Sequence, residues 1–204
     1  MIDYPGPMLG EPLPLELANT RYLTRGHSRD GLASVELLGA WLTRVRSQLR
    51  IPLADEDLIT ISEAHLSAAR ELRDCIHSLA ATSAGGSRPD AGALDRLNRH
   101  IRAAPLWTEL RWDTEPRAQL CSHAAPITAT IGEIAADTVE LFSGLRAPHI
   151  QPCASPNCIL YYVKDHARRE WCSTACGNRV RATRHYQRRR HQGSGPPPDR
   201  RPEH

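Results

Sequence analysis

A chain of 204 residues with 40% apolar content has room for one ordinary domain and a small module, and enough apolar surface to exclude global disorder. No apolar run reaches the roughly 20 residues of a membrane span, and the start, MIDYPGPMLGEPLPLEL, lacks the basic end and apolar stretch of a secretory signal. The formal net charge is only +3, yet residues 1–152 hold 15 Arg and no Lys against 19 acids, while residues 153–204 hold 11 basic against 4 acidic side chains.

With one Phe and four Trp, the core is expected to consist mainly of Leu, Ile, Val and Ala. Leu32, Val35, Leu38, Leu42, Val45 and Leu49 recur at helical spacing after a turn at Gly26–Gly31, with Asp30 placed as an N-cap. Ile51-Pro52 ends that helix, because a residue before proline avoids the α region. A second helix is expected from Asp55-Glu56-Asp57, with Leu58, Ile61, His65, Ala68, Leu72, Ile76 and Leu79 inside. After the connector at 82–88, Ser87, Pro89 and Asp90 form the start of a third helix carrying Leu94, Leu97 and Ile101. LWTELRW (106–112) and AQLCSH (118–123) alternate apolar with polar around DTEPR, which predicts a β-hairpin. Pro126 opens a further helix with Ile127, Ile131, Ile134, Val139 and Phe142 inside, and Gly144 stops it. Residues 146–152 read as a linker, and the proline-rich end from 192 to 204 as a disordered tail.

The most specific chemistry lies at Cys153, Cys158, Cys172 and Cys176, spaced Cys-x4-Cys-x13-Cys-x3-Cys. Two close thiolate pairs across a short insert are the usual donor set of one structural zinc ion; an iron–sulfur cluster uses the same donors and is the alternative. The apolar run 159–163 and the polar turn 165–170 read as a hairpin, with the second cysteine pair opening a helix near Ser173. Gly177-Asn178 reads as a tight turn around the metal, since both residues tolerate positive φ. The two remaining cysteines, Cys75 and Cys121, read as isolated buried thiols. Six cysteines in a chain without a secretory leader point to metal and free thiols in the cytoplasm rather than to disulfides.

Behind the last cysteine come Arg179, Arg181, Arg184, Arg188, Arg189 and Arg190. On a helix, Arg181, Arg184 and Arg188 share one face, and arginine forks suit phosphates and the guanine edge. DNA is the expected partner. RNA, an acidic protein surface, or a helix folded back on the acidic N-terminal half are the alternatives. Asn19, Arg21 and Arg25 are candidates for holding an anionic effector, or for a solvated turn. No nucleophile elbow, phosphate loop or HExxH motif points to an enzyme. A homodimer fits the habit of DNA readers to pair half-sites, although no heptad repeat requires one.

The run Trp171-Cys172-Ser173-x-x-Cys176-Gly177-Asn178-Arg179 resembles the CGNR zinc finger family. The resemblance extends to an upstream cysteine pair, an apolar strand ending at Asp165, and Arg169 just before the Trp-Cys; the four residues between Cys153 and Cys158 depart from the family spacing. Leu15-Glu16-Leu17-Ala18-Asn19-Thr20-Arg21 is similar to the opening of the ABATE domain, which usually precedes that finger. The resemblance implies a bacterial, stress-responsive transcription regulator. The expected fold is α+β and mainly α: a helical domain over 10–145 with a β-hairpin, then a treble-clef-like four-Cys finger over 150–191.

Overall fold

Helix α4 (Glu63–Ser83) is the centre of the N-terminal body, touching α1 (Leu13–Ala18), α2 (Val35–Val45), α5 (Ala91–Ala103) and α6 (Pro126–Ser143). The computed structural model describes residues 2–85 and 88–192, with side chains through Arg189. The proline-rich end read as a disordered tail, Gln192 excepted, and Ser87 lie outside the described residues. Leu66, Ala69, Leu72, Ile76 and Leu79 form the stripe of α4 that meets Trp41 and Leu42 of α2 and Ile127, Ile131 and Ile134 of α6 in one core. Helices α5 and α6 approach closely because position 132 is glycine: a Cβ there would come within 2.5 Å of the Ala104 Cβ. Thr130 and Thr138 are buried in α6 with their hydroxyls satisfied, donating to Pro126 O (2.9 Å) and Ile134 O (2.7 Å).

Several elements differ from the sequence-based reading. The cap of α2 is Ser34, whose hydroxyl accepts the Leu37 N–H, while the Asp30 carboxylate turns inward to Arg73 and the Leu32 N–H. The second helix splits into a single turn, α3 (Asp55–Leu58), and α4. Thr60 takes the Asp57 carbonyl with both its N–H and its hydroxyl, and Ser62 starts afresh with His65 Nδ1 accepting its N–H at 3.2 Å. His65 therefore belongs to a helix start rather than to the buried stripe. Val139 is exposed, because Thr138 and Leu141 are the residues of that turn that face inward.

Two small elements near the N-terminus were not foreseen. Helix α1 has six residues, all buried, which leaves no polar face for periodicity to reveal. Strands β1 (Arg21–Thr24) and β2 (His27–Asp30) pair through Arg25-Gly26, both at positive φ (52° and 80°), the geometry of a tight hairpin turn. The hairpin of β3 (Leu106–Trp112) and β4 (Pro116–Ser122) stands where alternation placed it.

In the C-terminal module, the stretch read as a linker ends in strand β5 (Ile150–Pro152), which pairs with β6 (Tyr161–Val163) across the first cysteine pair. The hairpin thus encloses Cys153 and Cys158 instead of lying between Cys158 and Cys172. Cys153 N donates to Leu160 O (2.9 Å) and Ala154 N to Glu170 O (3.1 Å), so the chain beyond β6 returns alongside the knuckle. Helix α7 (Thr174–Gln192) follows. Knuckle, hairpin and helix in this order form the treble-clef-like arrangement, and the whole protein is mainly helical with small hairpins.

Candidate metal centre and nucleic-acid interface

The four sulfurs come from three local devices. Asn157, at φ 59°, turns the knuckle tightly enough for Cys158 N to donate to Ser155 O at 3.2 Å, which brings Cys158 back beside Cys153. Cys172 precedes α7, and Cys176 lies in its first turn, where the Ser173 hydroxyl caps by accepting the Cys176 N–H at 3.3 Å. All four Sγ atoms lie within 4.8 Å of one another, and both Cys158–Cys172 and Cys172–Cys176 measure 3.7 Å. A tetrahedron of sulfurs about 2.3 Å from zinc has edges of about 3.8 Å, so the constellation fits one ion. A multi-iron cluster, in which different irons take different thiolates, would hold its sulfurs farther apart.

The chemistry of the donor set agrees. Hydrogen bonding from Cys158 and Cys172 holds the Cys153 thiol well below its ordinary value, and Cys153 in turn pushes Cys158 and Cys172 up. Four thiolates this close need a cation, which one zinc ion supplies. Cys172 N donates to Cys153 Sγ at 3.4 Å, a bond that favours the thiolate. With all four positions taken by sulfur, the ion is structural and has no site for a reacting water.

Gly177 and Asn178 lie inside α7, and neither has positive φ; the left-handed residue at the metal is Asn157. Gly177 serves packing instead, since a Cβ there would meet the Trp171 ring at 3.0 Å. That indole also lies 5.7 Å from the Arg181 guanidinium, which bonds Asn178 Oδ1 at 2.5 Å. Arg179 donates to Pro156 O at 3.4 Å. Among the described side chains Val180 is the last buried residue of the helix, and residues 181–189 are all exposed. Among the described residues, no carboxylate forms an ion pair with Arg179, Arg181, Arg184, Arg188 or Arg189; the Arg190 side chain lies outside them.

A family model for ABATE, described as a putative stress-induced transcription regulator, matches residues 11–145. The chain belongs to the ABATE family. A second model, the CGNR zinc finger, matches residues 149–189, following ABATE in chain order. No curated protein matches the chain. Both descriptions are of regulator and zinc-finger types rather than of enzymes, and no helix among the described residues is long and apolar enough to cross a membrane.

The ABATE domain grips the CGNR finger through residues that sequence reasoning assigned elsewhere or passed over. Asn19, a candidate effector ligand, is buried: its amide donates to Tyr161 O and accepts from Tyr161 N, both at 2.9 Å. The side chain is buried with its amide turned to β6, away from the solvent through which an effector would reach it. Arg21 pairs with Asp74 at 3.2 Å, and Arg25 sits at the tip of the β1–β2 turn. Asn19 thus stands apart from these two arginines, its side chain turned into the junction with β6.

Glu11 extends the grip. One of its oxygens accepts the Val163 N–H at 2.9 Å, and the other pairs with Arg169. Arg169 also donates to Val163 O (3.1 Å) and Cys172 O (3.3 Å), and its guanidinium lies 4.7 Å from the Tyr162 ring centre. The fully buried Glu16 supports this segment by accepting the N–H groups of Leu9 (2.9 Å) and Glu11 (2.7 Å); burial raises its carboxyl, and those bonds oppose the rise. Leu15, Ala80, Leu141, Ile150 and Tyr161 form an apolar seam beside these bonds, where His77 meets the Tyr161 ring edge-on. The signal for this junction was polar residues, Glu16 and Asn19, embedded in the apolar run of α1. Asn19→Ala strands both Tyr161 backbone groups and is expected to weaken docking by about 2–4 kcal/mol. Hydrogen exchange should show Tyr161 to Val163 losing protection while the core of α4 keeps its own.

Proposed function

We propose that the protein is a DNA-binding transcription regulator that lays α7 against the duplex, with zinc fixing the direction in which the helix leaves the finger. The division of labour follows the domains: the body over 10–145 senses a signal or dimerises, the finger over 150–191 binds, and the protein acts in the cytoplasm. Arg21 and Arg25 stay as candidates for effector contact.

The observation that carries this reading is the unpaired arginine face of α7. Arg181, Arg184 and Arg188 lie within about 60° of one another at 3.6 residues per turn, and the buried Cys176 and Val180 anchor the first turns of the helix in the finger. A helix that folded back on the acidic body would pair these guanidiniums with carboxylates, and no such pair occurs among the described residues. A free, highly charged helical end of this kind is marginal in water, and phosphate contacts would both hold it helical and neutralise its self-repulsion. Arginine rather than lysine favours bidentate contact with phosphate or guanine over diffuse attraction.

The test is binding to duplex DNA as a function of salt. With about four phosphate contacts, log K against log salt should fall with a slope near −3.6, and Arg181→Ala/Arg184→Ala/Arg188→Ala should reduce it to about −0.9 while zinc is retained. Undiminished binding and slope in that triple variant would remove the proposal. Loss of binding to single-stranded RNA or an acidic protein, with no duplex binding in the parent protein, would favour the adaptor reading instead.

A further inference from the structure

The β3–β4 hairpin carries its apolar side outward. Its register sets Leu110 opposite Ala118 and Trp112 opposite Pro116 on one face. All four are exposed, Leu110 at 71% and Trp112 at 70%. The other face is polar and self-satisfied: Trp107 Nε1 donates to Glu109 at 2.8 Å, and Arg111 pairs with Glu109 at 2.7 Å. Trp112 is the one tryptophan of four that is mostly in water, Trp41 being fully buried and the other two partly so. A two-stranded ribbon is marginal alone, and its outer strand edges have no further strand beside them among the described residues.

We propose that this face is a self-association surface, on which the hairpins of two copies pack Leu110 and Trp112 against each other about a twofold axis. Three features favour a second copy as the occupant. First, area: an aromatic side chain buries about 150–250 Å², so the four residues offer on the order of 400 Å² per copy. Two copies, with their rims, approach the roughly 1,000 Å² at which specific interfaces begin, the size of a reversible dimer. Second, charge: Glu109, Asp113 and Glu115 nearly balance Arg111 and Arg117, and Arg117 pairs internally with Asp113 at 2.9 Å. Nothing there repels an identical surface, and nothing attracts a polyanion. Third, symmetry: an apolar patch facing its own copy is complementary to itself, the property a twofold contact requires. Such a pairing would present two α7 helices to two half-sites, a consequence that rests on the DNA reading; the association itself does not.

Sedimentation velocity of the full zinc-loaded chain, without DNA, tests it. The expected result is a monomer–dimer equilibrium in the micromolar range. Trp112→Glu and Leu110→Lys, both at exposed positions, should each weaken dimerisation about 30-fold or more, with the helical circular dichroism and zinc content unchanged. Ile59→Lys, at an exposed apolar residue beside α3, should leave the dimer intact. A parent protein that stays monomeric throughout overturns the proposal, as does a dimer that survives both hairpin variants or is lost only in Ile59→Lys. A monomer that binds DNA would sink this inference alone; a dimer that ignores DNA would sink only the proposed function.

Discussion

Chelating the zinc is expected to melt the finger and abolish DNA binding while leaving the body folded. The finger's own apolar cluster is small: Cys153, Leu160, Tyr162, Cys172 and Cys176, with Trp171 and help from Leu9 and Tyr22 of the body. Three of those five buried residues are themselves ligands, so removing the ion turns the centre of the cluster into repelling or reprotonating sulfurs. Structural zinc sites contribute about 10–16 kcal/mol of apparent binding free energy, far more than such a cluster can replace. Cys172→Ser should act like chelation, because Cys172 lies 3.7 Å from two other sulfurs and its carbonyl takes the Arg169 guanidinium. Far-ultraviolet circular dichroism should lose about the helix of α7, and Trp171 emission should shift to the red. Zinc readdition should restore both with a stoichiometry of one. Full helicity and DNA binding in metal-free protein would show that zinc does not orient the helix.

Arg73→Met should destabilise the body by about 3 kcal/mol in urea titrations at neutral pH. Arg73 is 2% exposed, and it donates to both oxygens of Asp30 and, at 3.4 Å, to Thr20 Oγ1. Methionine keeps most of the stem but leaves the Asp30 carboxylate without its cation. Burial alone would raise the Asp30 carboxyl; the Arg73 donors and the Leu32 N–H together bring it below its ordinary 3.8. A carboxyl held below its unfolded value stabilises the fold above that value, and the contribution is lost as pH falls through the folded one. The gap between parent and variant should therefore be widest near neutrality and shrink on acidification below about pH 4. A gap independent of pH would assign the loss to packing rather than to the ion pair.

The junction gives α1 a role that a short buried helix seldom has. Through Glu11 and Asn19, which flank it, the segment holds β6, and through Arg169 it reaches the carbonyl of the zinc ligand Cys172. The direction of α7 thus depends on the metal at one end of this chain of bonds and on the body at the other.

Much of this was legible from residue order. The four cysteines announced their ion because thiolate spacing alone limits what they can hold. The β3–β4 ribbon followed from period-two alternation, and α6 from Pro126 and Gly144 at its ends. These signals are local: each is carried by neighbours within one element, where backbone geometry links spacing to direction. Local reading missed α1, which is buried on every side, and β1–β2, whose strands are mostly polar and depend on an arginine at positive φ. It also misassigned Asp30 and Asn19. Their residue types suit caps, turns and ligands equally well, and the choice among these lies with partners far along the chain. Arg73 stands 43 positions from Asp30, and Tyr161 stands 142 from Asn19. A buried polar group must find a partner somewhere, and only packing of the body against the finger decides which one is within reach.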